Sequence, residues 1–288
     1  MKRNFRDLLE TQWAKGKFVC VGLDSDLDKI PQSALRMRRG ETIENFSCVI
    51  VEATKDIVLA YKPNLAFYIA HGDVGIRVLQ ILIRFINDEA PEVPVILDAK
   101  FADIGNTNAG YVKFAFEYLG ADAVTVNPYL GGEALRPFLD CKDKGIFILC
   151  RTSNPGAGEF QVLVSAAPGG AGYRKLHQHV ACQVLNDWNK NGNCGLVVGA
   201  TRPDELREIR DSVGDTPLLI PGIGFQQKDV PLEQQVKQAV DAGKDSRGKG
   251  MLFNSSRGII FASNGRDFAE AARRETLKLG DLINQYLN

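Results

Sequence analysis

No window of the 288-residue chain approaches the roughly eighteen uninterrupted apolar residues of a membrane span, so none is expected. Charge of one sign is not in excess either: 35 basic residues balance 35 acidic ones. Nucleic acid and anionic membrane favour a positive surplus, so neither is expected as the main partner, although a local basic pocket remains open. Cysteine is sparse. Six of them, scattered through apparent strands and helices, do not make a disulfide framework. Cys20, Cys48 and Cys150 sit in apolar runs and read as small core residues of a cytoplasmic protein. Histidine is scarcer still, with three. His177 and His179 stand two apart on an expected helix, face different sides, and read as surface residues rather than metal ligands. His71 reads as a helix-start residue, and no metal-ligand cluster emerges. Met1 to Glu10 alternates charged and apolar residues, lacks a signal-peptide core, and reads as an amphipathic first helix.

Short apolar runs recur with longer helical patterns between them. The expected strands are Phe18–Asp24, Ile57–Lys62, Val95–Lys100, Ala123–Asn127, Gly145–Arg151, Leu196–Ala200, Pro217–Pro221 and Gly250–Asn254. The expected helices are Thr42–Lys55, Gly75–Asp88, Ala109–Leu119, Glu133–Asp143, Tyr173–Lys190, Pro203–Asp211, Leu232–Asp241 and Phe268–Tyr286. Eight strands alternating with eight helices point to an α/β fold, a closed (β/α)8 TIM barrel over residues 1–288 as one domain. The rival is an open doubly wound sheet. Its dinucleotide form needs G-x-G-x-x-G after the first strand, and Val21-Gly22-Leu23-Asp24-Ser25 does not supply it. Asn154 to Gly172, rich in Gly and Pro, reads as a long loop of the kind that forms lids.

Polar residues gather at one end of these strands. The ends carry Asp24, Lys62 with Asn64, Asp98 with Lys100, Arg151 to Asn154, Gly222 to Gln226, and Asn254 to Arg257. In a barrel those ends meet at the C-terminal rim, where active sites of this fold lie. The densest segment is Val95-Ile96-Leu97-Asp98-Ala99-Lys100-Phe101-Ala102-Asp103-Ile104-Gly105-Asn106-Thr107. Side chains alternate along a strand, so Asp98 and Lys100 share a face, and Asp103 falls where a helix would start. Burying such charges costs several kcal/mol unless they are paired. The glycine-bearing ends at Gly222–Gly224 and Ser255–Gly258, with the planar donor fork of Arg257, suit a phosphate.

These segments resemble the orotidine 5′-monophosphate decarboxylase family. Asp98-Ala99-Lys100-Phe101-Ala102-Asp103-Ile104 matches its D-x-K-x-x-D-I signature. Val21-Gly22-Leu23-Asp24, Tyr61-Lys62-Pro63-Asn64, Thr152-Ser153-Asn154-Pro155-Gly156 and Pro221-Gly222-Ile223-Gly224-Phe225-Gln226 match its other site segments, in the same order. The resemblance spans about Phe18 to Ala262 and is nearer the longer bacterial and parasite branch than the compact archaeal one. It implies decarboxylation of orotidine 5′-monophosphate to uridine 5′-monophosphate, the last step of de novo pyrimidine synthesis, with no metal or organic cofactor. It implies that Lys100 is the general acid at C6, that Asp98 lies beside the substrate carboxylate, and that Lys62 and Asp24 hold the ribose hydroxyls and the charge network, with Asn64 joining them. Asp103, Ile104 and Thr107 would reach into a neighbouring subunit's site, which makes a homodimer. Ser153 would meet the pyrimidine, and Gln226 and Arg257 the phosphate.

Loss of carbon dioxide from C6 leaves a carbanion with little ring delocalisation. Without an electron sink, positioned charge and binding energy must stabilise it. Two other readings stay open. Magnesium-dependent phosphosugar barrels (hexulose-phosphate synthase or keto-gulonate-phosphate decarboxylase type) share D-x-K-x-x-D but carry a glutamate at the position of Lys62. A non-catalytic nucleotide-binding barrel would keep the pocket without turnover.

Overall fold

Eight apolar segments do become eight strands in a computed structural model of the chain, which describes residues 3–167, 169, 172–224 and 229–287. They are β1 (Val19–Gly22), β2 (Ala60–Lys62), β3 (Ile96–Phe101), β4 (Ala123–Val126), β5 (Gly145–Arg151), β6 (Cys194–Val198), β7 (Leu218–Pro221) and β8 (Met251–Ser255). Parallel strands covered by helices are buried on both faces, which is why they read as continuous apolar runs. Every residue of β1, β4 and β6 is buried.

The strands are parallel and run β2–β1–β8–β7–β6–β5–β4–β3 in space. Isolated parallel bridges Tyr61↔Val95 and Asn64↔Asp98 bring β2 back to β3 and close the barrel. The seam is thin: Tyr61 N donates to Pro94 O at 3.0 Å and Asp98 N to Pro63 O at 2.9 Å. The first helix, Phe5–Ala14, is capped by the Asn4 side chain, which accepts from Arg6 N and Asp7 N. Phe5 packs edge-on to Phe147 at 5.6 Å, and Trp13 Nε1 donates to Met251 O at 2.9 Å. This helix therefore packs at the N-terminal ends of β5 and β8, away from the polar rim.

Several expected boundaries move by three or four residues, and two of the shifts bear on the site. The helix expected from Ala109 starts at Gly105 and runs to Val112, continuing as a wider turn over Lys113–Tyr118. Gly105, Asn106 and Thr107 are poor helix formers, but Asn108 overrides them by donating to Asp103 O and Ala134 O, each at 2.7 Å. The helix expected from Tyr173 starts at Leu176, because Tyr173–Lys175 pairs antiparallel with Val164–Ala166. The stretch expected as one long loop thus holds a short helix, Gly158–Gln161, and the exposed first strand of this hairpin. The later start turns His177 inward. Expected at the surface, it is fully buried on β5, where Cys150 Sγ lies 3.2 Å from its carbonyl. Its Nδ1–H donates to Gln161 O at 2.8 Å.

Candidate active site

The seam between β2 and β3 puts Lys62 beside Asp98. Lys62 Nζ donates to Asp98 Oδ2 at 2.8 Å, and Lys100 Nζ donates to Oδ1 at 2.6 Å. Thr125 Oγ1, from β4, donates to the same Oδ1 at 2.9 Å. One carboxylate is thus held by two ammonium groups and a hydroxyl. Burial would push the Asp98 carboxyl up, but the charges of Lys62 and Lys100 outweigh it and hold it far below the usual carboxylate range. Burial would pull Lys62 down, but Asp98 and then Asp24 hold it above the ordinary lysine value. Both groups are therefore ionised at neutral pH.

The two lysines differ in exposure. The Lys62 side chain is 5% exposed and the Lys100 side chain 47%. Lys62 is interior counter-charge; Lys100 presents its ammonium to the open cleft.

Simple alternation does not produce this convergence. Leu97 pairs with Val124 and Phe101 with Val126, so Asp98, Ala99 and Lys100 face Thr125 alone. This is a bulge, and bulges re-aim side chains at barrel rims. Lys100 adopts φ 52, the left-handed region, and is the only non-glycine residue with positive φ among the described residues. That conformation costs on the order of 1–3 kcal/mol and persists only where surroundings impose it. Here Lys100 N–H donates to Thr125 Oγ1 at 2.9 Å.

A cleft of about 400 Å³ lies over this group, a size suited to a small-molecule ligand. Lys62, Asp98, Lys100 and Thr125 form its charged side, Leu149, Val197 and Leu219 an apolar wall, and Thr152 to Asn154 its far end. Gln161 braces that end: its Oε1 accepts from Thr152 N and its Nε2 donates to Thr152 Oγ1, both at 2.8 Å. Thr152 Oγ1 in turn donates to Asn154 Oδ1 at 2.6 Å. Ser153, which also lines the cleft, has no hydroxyl partner among the described residues.

The remaining candidates divide. Asp24 stands at the end of β1, near enough to Lys62 to help hold its charge, and its buried Oδ1 has no hydrogen-bond partner among the described residues. Asn64 caps the short helix Leu65–Ile69, accepting from Ala66 N at 3.1 Å, and does not line the cleft. Asp103 Oδ1 accepts from Ile104 N at 2.7 Å. Asp103, Ile104 and Thr107 lie outside the cleft of their own chain, and Ile104 is 57% exposed. Gly222 and Gly224 follow β7 with φ 101 and 82, conformations that a side chain would strain. Arg257 opens the short helix after β8 on the same rim and is exposed, without lining the cleft. Gln226 lies outside the described residues.

Residues 17–272 match the model of the Orotidine 5'-phosphate decarboxylase / HUMPS family. The chain belongs to this family. The "Orotidine 5'-phosphate decarboxylase" of Janthinobacterium sp. (strain Marseille) is 43% identical over 288 residues, covering 98% of this chain and 99% of that protein. The solved Leishmania donovani OMP decarboxylase is 36% identical with a TM-score of 0.78, covering 96% of this chain and 99% of the other. Leishmania donovani UMP synthase is also 36% identical, with a TM-score of 0.83 over 99% of this chain; the chain spans 56% of that longer protein.

Within this family frame, two polar cleft residues escaped sequence reasoning, Thr125 and Gln161, whereas Asn254 was marked as a polar strand end and does line the cleft. The signal for Thr125 was a lone hydroxyl inside the apolar strand Ala123–Val126. Gln161 gave none, because its role depends on a turn of chain back over Thr152. Among the described residues, no three His, Cys, Asp or Glu side chains gather as a metal-ligand set. Both oxygens of Asp98 already accept from cations, and a divalent ion there would face two ammonium groups. No helix among the described residues is long and apolar enough to cross a membrane.

Proposed function

We propose that this cleft decarboxylates orotidine 5′-monophosphate to uridine 5′-monophosphate, with Lys100 delivering the proton to C6 as carbon dioxide leaves. One barrel domain, residues 1–288, carries the reaction. Relatives at 42–44% identity over nearly their whole length are orotidine 5′-phosphate decarboxylases, which supports the reaction class. The observation that carries the residue assignment is the asymmetry of the two lysines on one carboxylate. Lys100 is the cation the substrate can meet, and Lys62 is sealed in to keep Asp98 charged.

The steps follow from that arrangement. The pyrimidine enters with its carboxylate toward Asp98, and Ser153 meets the ring. Asp24 offers its unpartnered oxygen to a ribose hydroxyl, with Lys62 beside it and Asn64 at the edge of the hydroxyl network. Gly222–Gly224, Gln226 and Arg257 take the phosphate at the ends of β7 and β8, where barrels commonly bind one. As the C6–CO2 bond breaks, its electron pair stays on C6 next to the Lys100 ammonium, which stabilises the carbanion and then protonates it. The array is ionised before substrate arrives, so no reorganisation is needed as charge develops. Grip on the remote phosphate can supply free energy for closing the site around the ring.

The active form in this reading is a homodimer in which Asp103, Ile104 and Thr107 complete the neighbour's site. Ile104, Tyr129 and Leu130 support it: they are 57%, 85% and 48% exposed on elements following β3 and β4, whose helices pack together. A cytoplasmic setting is supported by six cysteines that are all unpaired. The test is depletion of orotidine 5′-monophosphate absorbance by purified protein in chelator. Sustained turnover is expected. Abolition by chelator would favour the magnesium-dependent phosphosugar chemistry, and binding without consumption a sensor.

A further inference from the structure

We propose that Thr125 is a positioning residue for the proton-transfer step: its hydroxyl fixes both the Asp98 carboxylate and the left-handed backbone of Lys100. The proposal rests on the reading of Lys100 as the proton donor.

Thr125 is buried on β4 and is the only residue opposite the bulge Asp98–Ala99–Lys100. A bulge leaves ladder groups without their regular partners. Here the Lys100 N–H finds the Thr125 hydroxyl oxygen at 2.9 Å in place of a strand carbonyl. The same hydroxyl sends its single proton to Asp98 Oδ1 at 2.9 Å. Its direction is therefore determined at both ends: the backbone N–H can only donate, and the carboxylate can only accept.

Asp98 Oδ1 also receives Lys100 Nζ at 2.6 Å. Main chain of Lys100, hydroxyl of Thr125, carboxylate of Asp98 and ammonium of Lys100 thus form a closed ring of contacts. Removing the hydroxyl opens that ring twice. Lys100 N–H loses its acceptor, so the strained φ loses its restraint. Oδ1 loses a neutral donor and is left to Lys100 Nζ alone, which draws the ammonium further toward Asp98 and away from C6. A hydroxyl is uniquely suited among uncharged side chains of this size. Valine fills the same volume and can neither accept nor donate, whereas serine can do both.

The test compares Thr125→Val and Thr125→Ser in the full-length chain, with Lys100→Ala alongside. Steady-state kcat, KM, affinity for uridine 5′-monophosphate and the thermal midpoint are measured for each. Hydrogen bonds to charged groups set the expected scale: Thr125→Val lowers kcat by about 10–100-fold, with product affinity within about threefold. Thr125→Ser restores kcat to within about threefold of the parent. Thr125→Val at parental kcat would overturn the proposal, as would an equal loss in Val and Ser variants, which would assign the effect to packing of the methyl group. Should the Val variant fail to fold, Thr125→Ala against Thr125→Ser gives the same comparison. Turnover retained by Lys100→Ala would instead overturn the reading of Lys100 on which this rests.

Discussion

The rim of the barrel has two halves built on opposite principles. At β2, β3 and β4, charges are paired around one buried carboxylate: Asp98 is held by Lys62, Lys100 and Thr125. At β5, β7 and β8, the elements are glycine-bearing turns, an exposed helix start at Arg257 and a hairpin whose first strand, Val164–Ala166, is wholly exposed. The first half does the chemistry in the proposed function, and the second holds the ligand's handle. Chemistry at C6 requires charge that is fixed before the substrate arrives. A phosphate needs donors that can close on it and open again, which backbone amides of turns supply.

The sharpest way to break this contrast is on the rigid side. Lys100→Ala is expected to remove turnover while leaving affinity for uridine 5′-monophosphate within about tenfold, roughly 1.4 kcal/mol. Next in size is stability: Asp98→Asn strands the buried ammonium of Lys62 and should lower unfolding free energy by about 3–5 kcal/mol, read by denaturant titration. A hairpin substitution such as Val164→Thr should change it by less than about 0.5 kcal/mol, because surface sites away from buried networks contribute little. Equal effects on the two sides would dissolve the distinction.

If subunits share sites, mixing inactive Asp103→Ala with inactive Lys100→Ala should restore partial activity. No recovery after proven subunit exchange would place Asp103 in its own chain's structure instead. On the adaptable side, if Ser153 meets the ring as proposed, Ser153→Ala should raise KM by about tenfold with a smaller change in kcat, through loss of one hydrogen bond.

The smallest expected effect is in pH. The depressed Asp98 contributes stability that is full above about pH 4 and lost only as pH falls through its lower folded value. The raised Lys62 contributes stability that is full below about pH 10.4 and lost only as pH rises past it. The charged rim should therefore be flat in stability between those limits. His177 behaves differently. Desolvation lowers its pKa, so its contribution is present above about pH 6.5 and is lost as pH falls below that. Unfolding free energy should decline from pH 7 to 5 in the parent, and His177→Gln should flatten that decline.

Much of this was legible in the sequence, for a physical reason. Parallel strands buried on both faces leave little room for charged residues except at their ends, so the charges of Lys62, Asp98 and Lys100 marked the rim. The match of Asp98 to Asp103 with a known signature then named the chemistry. What was hidden depended on contacts between distant segments. Nothing in Lys100 favours a left-handed backbone; the bulge arises from its pairing with β4. Thr125 reads as an ordinary β-branched strand residue until that bulge faces it. His177 was misjudged because a hairpin strand took the first turn of its expected helix. The glycine-bearing turns and Arg257 were legible as a pattern suited to phosphate, yet Arg257 does not line the cleft.

The central claim is that the Lys100 ammonium, poised on Asp98, meets C6 of the pyrimidine. A crystal structure of the protein with uridine 5′-monophosphate tests it most directly. Lys100 Nζ should lie about 3 Å from C6, within the reach proton transfer needs, with the phosphate beside Arg257. A ring bound with C6 turned away from Lys100, while the phosphate keeps its place, would contradict the account.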